Sequence, residues 1–162
     1  MTKKPRIILV DDHLIYRKGL KSIVTIENIA IVIGATLNGV EFIDMLPQLK
    51  PDLVIMDIDM PLMNGIEATQ KALEIIPDLK IIIYTMFEEE DYSQKMIALS
   101  VKGFIIKSSS IQEVEKVIDE VMKGNTYFSN EFQVKNTNKF NSNATINPLF
   151  TKGFVKVATS ET

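Results

Sequence analysis

Three carboxylates follow two short apolar runs, and their type and spacing indicate chemistry at a hard cation. Asp11 and Asp12 come directly after Ile7–Val10, and Asp57 comes directly after Leu53–Met56. Short apolar runs that end in acidic residues are typical of buried parallel strands, whose carboxyl ends face the crevice where open α/β sheets bind ligands. The three side chains are therefore predicted to converge, and their oxygens would suit Mg²⁺.

A hydroxyl and an ammonium lie at the ends of two further apolar runs. Thr85 closes the run Ile81–Thr85, and Lys107 follows the run Gly103–Ile106. Phosphoryl transfer to a carboxylate needs cationic and hydrogen-bonding groups, because negative charge builds up on the phosphoryl oxygens. One acidic residue at a strand end is usually part of a polar fringe, whereas this combination favours a site for a phosphoryl group and a divalent cation.

The elements that must position these residues are repeated strand–helix units. Between Arg6 and Gly124 short apolar runs alternate with longer amphipathic segments, which predicts an α/β fold, a (βα)5 doubly wound parallel five-stranded sheet. Of the five helices, the second is predicted to stop before Pro47, the third at Pro77 and the fifth at Gly124. The predicted strands are Arg6–Val10, Ile29–Ala35, Leu53–Met56, Ile81–Thr85 and Gly103–Ile106.

Composition limits the domain organisation and the classes of partner. The 162 residues are 46% hydrophobic, which suits one domain, placed at residues 1–127. Residues 128–162 carry six asparagines without a sustained period and are predicted to be a linker or disordered tail. The net charge of -3 argues against a general nucleic-acid surface, and no apolar run reaches the ~20 residues that span a bilayer. The chain contains no cysteine, which is compatible with a reducing compartment, and we expect it to be cytoplasmic. Since no apolar run is long enough to span a bilayer, we expect no membrane partner.

Five separated motifs resemble the receiver domain of bacterial two-component response regulators, in the branch that usually carries a LuxR/NarL-type DNA-binding helix-turn-helix. The resemblance covers about residues 5–130. It implies the flavodoxin-like strand order 2-1-3-4-5. The motifs, in the family's order and spacing, are Ile8-Leu9-Val10-Asp11-Asp12-His13, Arg17-Lys18-Gly19-Leu20, Pro51-Asp52 through Asp57, Asp59, Pro61 and Asn64-Gly65, Thr85-Met86, and Gly103-Phe104-Ile105-Ile106-Lys107.

The resemblance implies how the chain would take up a phosphoryl group. Asp57 would be the phosphoacceptor of a phosphorelay, modified by a sensor histidine kinase in a reaction that depends on Mg²⁺. Asp12, Asp57 and the backbone carbonyl of Asp59 would bind the metal directly, and Asp11 would bind it through water. Lys107 would pair with the phosphoryl oxygens.

The resemblance also implies a switch. The hydroxyl of Thr85 would move onto the phosphoryl group, and Phe104, at the family's switch-aromatic position, would move inward with it. The surface formed by the fourth helix, fifth strand and fifth helix would change, and in many relatives this surface forms a phosphorylation-dependent homodimer. A phosphoryl group adds up to ~2 negative charges and strong acceptor oxygens, which is what such a shift requires.

The motifs do not specify whether the receiver acts through DNA binding or through protein contact. Ser108 follows Lys107 where many receivers have proline, and residues 128–162 contain nothing that resembles a helix-turn-helix. We expect a fragment or truncated form of a transcription regulator, whose DNA-binding domain is missing from this chain, and no direct nucleic-acid binding by the chain itself. The alternative is a stand-alone receiver that acts by protein contact or phosphotransfer.

Two further functions compete with a receiver. The D-x-D pattern Asp57-Ile58-Asp59 follows an apolar strand, as in aspartate-based phosphohydrolases of the haloacid-dehalogenase type. Those enzymes place the D-x-D strand first in the chain, so we expect a switch rather than an enzyme. A constitutive interaction module is the third alternative. His13 is a further candidate metal ligand, but a lone histidine is more often a loop or cap residue.

Overall fold

A computed structural model describes residues 3–86 and 95–128 of the chain. Strands and helices alternate along the whole described length, as the sequence predicts. The strands are β1 Arg6–Val10, β2 Ile31–Thr36, β3 Leu53–Met56, β4 Lys80–Thr85, β5 Gly103–Ile106 and β6 Tyr127–Phe128. The helices are α1 Leu14–Ile26, α2 Gly39–Leu49, α3 Gly65–Ile75, α4, of which residues 95–98 are described, and α5 Ile111–Met122.

All six strands pair in parallel, in the order β2-β1-β3-β4-β5-β6. The predicted doubly wound sheet with strand order 2-1-3-4-5 is confirmed, and it carries one additional edge strand. Tyr127 and Phe128 pair with Gly103 and Phe104 of β5, so Phe128, which the sequence analysis assigned to the tail, belongs to the sheet. The rest of the predicted tail, residues 129–162, lies outside the described residues.

The two faces of the sheet are covered by different helices. Successive strand residues point to opposite faces. Ile8 and Val10 therefore join a core cluster with residues of α2, α3 and α4, whereas Ile7 and Leu9 join a second cluster with residues of α1 and α5. Because both faces of β1, β3, β4 and β5 are buried, these strands are apolar between their ends, and polar side chains are left to the strand ends.

Helix α2 contains Pro47, so the prediction that it would stop before this residue is wrong. The proline lies in the last turn, where its missing N–H removes one intrahelical hydrogen bond. Beyond it, the Lys50 N–H donates to the Leu46 carbonyl at 3.1 Å, and Lys50 ends the helix in a left-handed conformation with φ of 44°. Phe42 and Leu46 of the same helix are fully buried, and their burial offsets the loss.

The predicted ends of the other helices agree with the structure. Helix α3 ends at Ile75, shortly before Pro77. Helix α5 ends at Met122, and Gly124 follows in a left-handed conformation with φ of +91°, which glycine adopts without steric cost.

Gly65 begins α3 where the backbone passes directly over the acidic edge of the sheet. Its N–H donates to the Ile58 carbonyl at 2.8 Å. A Cβ at this position would overlap the Asp57 carbonyl oxygen and lie 2.9 Å from the Ile58 Cα. Since both neighbours are backbone atoms, neither can rotate away.

Gly65→Ala is therefore expected to destabilise the protein by about 3 kcal/mol or more, as an overpacked site does when the backbone must shift. The matched control is Gly19→Ala in α1, where nothing lies within 4 Å of the added Cβ. That substitution should stabilise the helix by about 0.5–1 kcal/mol. Urea unfolding followed by far-ultraviolet circular dichroism measures both changes. Equal midpoints for the two variants would contradict the close approach of Gly65 to the backbone of Asp57 and Ile58.

Candidate functional site

The functional side chains lie at the carboxyl edge of the sheet, one residue beyond the strands that carry them. Backbone hydrogen bonding extends to each: the Asp57 N–H donates to the Val10 carbonyl at 2.9 Å, and the Lys107 N–H donates to the Thr85 carbonyl at 2.7 Å. The Asp11 N–H donates to the Thr36 carbonyl at 3.1 Å. The sheet thus fixes the positions of these residues, rather than leaving them on free loops.

Lys107 is the cation of this edge, and its side chain is fully buried. Its Nζ lies 2.6 Å from Asp11 Oδ2 and 3.2 Å from Asp57 Oδ2, and it stacks over the Tyr16 ring with 4.7 Å to the ring centroid. The aspartates themselves are also almost completely buried. One buried ammonium therefore faces two buried carboxylates.

Asp12 adds a third carboxylate at the rim of the same cluster. Within the part of the chain that the structure describes, its Oδ1 is buried and accepts no hydrogen bond. Asp11, Asp12, His13 and Asp57 each offer one ligand atom, and these atoms lie within 4.8 Å of one another. An excess of buried negative charge and an oxygen without a donor are the conditions that a divalent cation relieves, so these residues fit Mg²⁺.

Burial perturbs the titration of Asp57. Loss of hydration, with a further contribution from the charge of Asp11, raises the pKa of the Asp57 carboxyl from 3.8 to about 6, although Lys107 and the Ile58 N–H act in the opposite direction. The Ile58 N–H donates to Asp57 Oδ1 at 2.9 Å, which holds the carboxylate in one orientation. Without a bound cation, ionised Asp57 is therefore an unfavourable group in the folded protein.

This perturbation predicts a stability gain for Asp57→Asn in metal-free buffer. Because the pKa is raised, the folded protein holds the Asp57 proton more tightly than the unfolded chain does, and the free energy of unfolding falls as the pH rises from about 4 to about 6. At neutral pH the variant should be more stable than wild type by on the order of 2 to 3 kcal/mol. Below about pH 4 the difference should vanish, because wild-type Asp57 is then neutral as well.

Urea unfolding at several pH values, with a chelator present, measures this difference. The matched control is Asp78→Asn, which removes an exposed carboxylate far from the sheet edge and should leave the pH dependence of wild type unchanged. A constant gap between Asp57→Asn and wild type across the pH range would show that ionisation of Asp57 does not destabilise the fold.

His13 lies at the N-terminal cap position of α1, in agreement with the predicted loop or cap role, and its ring also joins the acidic cluster. Its Nδ1 lies 3.2 Å from both Asp11 Oδ1 and Asp12 Oδ1, and 3.6 Å from Asp57 Oδ2. The available signal was its position directly after two site aspartates. A single sequence offers no way to tell which direction a loop side chain takes.

Two residues of α1 also support the site and were not singled out from the sequence as site residues. Arg17 donates from Nη1 to the Asp11 carbonyl at 2.6 Å, and Tyr16 lies against both Lys107 and the His13 ring. They lie five and six residues after Asp11, on the first turns of the helix that follows the acidic loop. Helical geometry brings the start of α1 back over the residues that precede it.

Thr85 and Phe104 lie on the neighbouring strands β4 and β5. Thr85 is buried at the end of β4. Phe104 is 1% exposed and packs in the core cluster that contains Met56 and Met96, so the ring is already inward in this structure. Movement of either residue on phosphorylation stays a prediction.

The remaining predicted residues are less fully described. The Asp59 side chain is exposed, and a metal-binding role for its backbone carbonyl stays a prediction. Phe87 and the acidic run 88–91 lie outside the described residues. The described helices include none that is long and apolar enough to cross a membrane.

The parallel (βα)5 sheet, with an acidic cluster and a buried lysine at its carboxyl edge, defines the class of receiver-like signalling domains. The chain belongs to the response regulator receiver domain family, whose model matches residues 7–119. The two-component signalling class that the sequence motifs suggested is thereby confirmed.

The chain is also similar in sequence to an oxygen regulatory protein. The chain is 33% identical over 140 residues to the oxygen regulatory protein NreC of Staphylococcus aureus, a match that covers 86% of this chain and 64% of the relative. The chain thus spans less than two thirds of the length of that relative.

Solved structures of response regulators have the same fold as this chain. A two-component response regulator of the LuxR family from Aurantimonas sp. SI85-9A1 superposes with a TM-score of 0.80 at 26% identity, covering 85% of this chain and 98% of that chain. A DNA-binding response regulator of the LuxR family from Staphylococcus aureus gives a TM-score of 0.69 at 25% identity, over 73% of this chain and 98% of that one. The receiver fold therefore accounts for the described part of the chain.

Proposed function

We propose that this chain is the phosphoacceptor receiver of a two-component phosphorelay, and that Asp57 takes a phosphoryl group from a sensor histidine kinase in a Mg²⁺-dependent reaction. The observation that carries the proposal is the buried charge at the sheet edge. Lys107 lies between Asp11 and Asp57, and Asp12 adds a carboxylate oxygen without a donor. In a member of the receiver family, this arrangement supports a site for a cation and a phosphoryl group.

The aspartates at the sheet edge would have two roles, as nucleophile and as metal ligands. The carboxylate of Asp57, held by the Ile58 N–H, would be the nucleophile toward phosphorus. Asp11, Asp12, Asp57 and the Asp59 carbonyl would hold Mg²⁺, which when bound would neutralise charge on the phosphoryl oxygens. These assignments agree with the donor set at the sheet edge.

The ammonium of Lys107 would move toward a phosphoryl group on Asp57. In the unmodified protein its ammonium is closer to Asp11 than to Asp57, at 2.6 and 3.2 Å. A phosphoryl group on Asp57 would attract it by a charge-assisted hydrogen bond, and Thr85 would offer its hydroxyl to another phosphoryl oxygen. The new contacts, with Phe104 held inward beside them, would favour one of two states of the surface formed by α4, β5 and α5.

We further propose that the output is regulation of transcription in the cytoplasm, through a DNA-binding domain that acts together with this receiver. The support is the LuxR-type branch of the relatives and the share of NreC that the chain spans. Phosphorylation-dependent homodimerisation through α4, β5 and α5 would be the intermediate step. The alternative is a receiver that acts by protein contact or by phosphotransfer. Neither the transcription regulator nor this alternative requires the chain to act as an enzyme.

The test is covalent labelling with a small phosphodonor such as acetyl phosphate, read by intact-protein mass. One phosphoryl group should appear with Mg²⁺ and should fail to appear with a chelator. Asp12→Asn should slow labelling about tenfold or more, because a metal ligand is lost while the acceptor remains. The matched control, Asp78→Asn, should label as fast as wild type. Rapid multiple turnover of an aryl phosphate would instead support the phosphohydrolase alternative, and absence of labelling would leave a constitutive interaction module.

A further inference from the structure

The contacts of the His13 side chain lie at the sheet edge, with Asp11, Lys107 and Tyr16, and not in the core. His13 is the N-terminal cap residue of α1, yet its side chain makes no capping hydrogen bond. Serine, threonine, asparagine or aspartate would serve that position better. The side chain is 48% exposed and is not part of either core cluster. An explanation for a histidine at this position must therefore come from what its ring faces.

The ring faces the acidic cluster through Nδ1. This atom lies 3.2 Å from Asp11 Oδ1, 3.2 Å from Asp12 Oδ1 and 3.6 Å from Asp57 Oδ2. Asp11 uses its other oxygen for Lys107, and Asp12 Oδ1 accepts no hydrogen bond within the described residues. One imidazole nitrogen and three carboxylate oxygens thus lie close together, and the Lys107 Nζ, 3.4 Å from Nδ1, is the ammonium that a metal ion would partly replace.

The spacing of these atoms matches ligands of one metal ion. Two ligand atoms at 2.0–2.2 Å from a tetrahedral or octahedral centre are about 3.0–3.5 Å apart. The two shorter separations from Nδ1 lie inside that interval, and the third lies just outside it. All four atoms lie within 4.8 Å of one another, so a small shift of side chains would close the set around an ion.

We propose that Nδ1 of His13 is an additional ligand of the cation site formed by Asp11, Asp12 and Asp57, and that it gives this site a preference for borderline divalent metals such as Zn²⁺ over Mg²⁺. The inference rests on the proposed cation site of the receiver. An all-oxygen site suits hard cations, whereas an imidazole ligand adds affinity for Mn²⁺, Co²⁺ and Zn²⁺. His13 would thus determine which metal the receiver holds.

The composition of the chain makes this inference easy to test. The sequence contains one histidine and no cysteine, so no other imidazole or thiolate of the protein competes for Zn²⁺. A full-length chain without a histidine tag is therefore required. Labelling with ¹⁵N-histidine gives the resonances of one ring alone, and calorimetry gives the affinities for Zn²⁺ and Mg²⁺ in the same buffer.

The expected result has two parts. Zn²⁺ should shift the ¹⁵N resonance of Nδ1 much more than that of Nε2, and Mg²⁺ should not. His13→Ala should weaken Zn²⁺ binding about tenfold or more, since loss of a direct ligand costs at least as much as loss of a residue that supports one. The same variant should change the Mg²⁺ affinity by less than about threefold, because Mg²⁺ is satisfied by oxygen and water.

Other outcomes separate this inference from the proposed function. Equal Zn²⁺ affinity in wild type and His13→Ala would overturn it and leave the Mg²⁺ site standing. Tighter binding of both metals by His13→Ala would also overturn it, because the ring would then block the pocket rather than bind the ion. If wild type bound neither metal, the proposed cation site itself would fail. Asp12→Asn should weaken both metals, and circular dichroism confirms that each variant is folded.

Discussion

Asp57→Asn is expected to abolish phosphoryl uptake, both from a small phosphodonor and from any histidine kinase that modifies this chain. The amide is nearly isosteric with the carboxylate, and its oxygen still accepts from the Ile58 N–H. Lys107 keeps its shorter partner, Asp11 at 2.6 Å. The site should therefore stay assembled while its nucleophile is lost, and labelling should fall by about 10³-fold or more.

Intact-protein mass after incubation with acetyl phosphate and Mg²⁺ measures this loss, and peptide mapping after reductive trapping of the acyl phosphate identifies the acceptor. The matched control is Asp78→Asn, whose carboxylate is exposed and distant. Labelling of Asp57→Asn at the wild-type rate would place the acceptor on Asp11 or Asp12. Because Asp57→Asn should also be more stable than wild type in metal-free buffer, loss of labelling could not be attributed to unfolding.

The positions of the strands and of the main site residues could be predicted because the sheet is buried on both faces. A strand covered by helices on each side is apolar along its whole length, as Leu53–Met56 is, and the first polar residue after it marks the sheet edge. Asp57 and Lys107 were identified in this way. Parallel pairing then places such residues beside one another, which is why a one-dimensional pattern predicts a three-dimensional cluster.

Other features depend on contacts that a sequence pattern does not contain. Pro47 reads as a helix end, but the packing of Phe42 and Leu46 carries α2 past it. Tyr127 and Phe128 are too short a run to predict a strand, and they pair because the edge of β5 is available. The ring of His13 lies against the carboxylates, and no periodic pattern in the sequence indicates that direction.

The site combines groups that are costly in the metal-free fold. Asp11 and Asp57 are buried acids that share one ammonium, and the pKa of Asp57 is raised to about 6. A cation or a new hydrogen-bond donor stabilises the charged form of carboxylates that are buried in this way. Metal binding and phosphorylation would therefore act on the same imbalance of charge, which links the stability of the domain to its state of modification.

Lys107→Met is expected to cause the largest loss of stability of any single charge change at this edge. Methionine has a similar length and can still pack against Tyr16, but the ammonium between Asp11 and Asp57 disappears. Removing one partner of a buried ion pair costs about 3–5 kcal/mol, because the remaining charge is left buried without compensation. The matched control is Lys123→Met at the C-terminal cap of α5, where a largely exposed lysine pairs with Asp119 at 2.7 Å and its loss should have little effect.

Two additions distinguish a charge effect from a packing effect in Lys107→Met. Saturating Mg²⁺ should raise the urea midpoint of this variant more than that of wild type, because the ion replaces the missing positive charge and binding to the folded state alone stabilises it. A second substitution, Asp57→Asn, should also recover stability, so that the double variant unfolds at a higher urea concentration than Lys107→Met. If neither addition raised the midpoint, the loss would come from packing of the methionine, and the carboxylates would not depend on Lys107 for their charge balance.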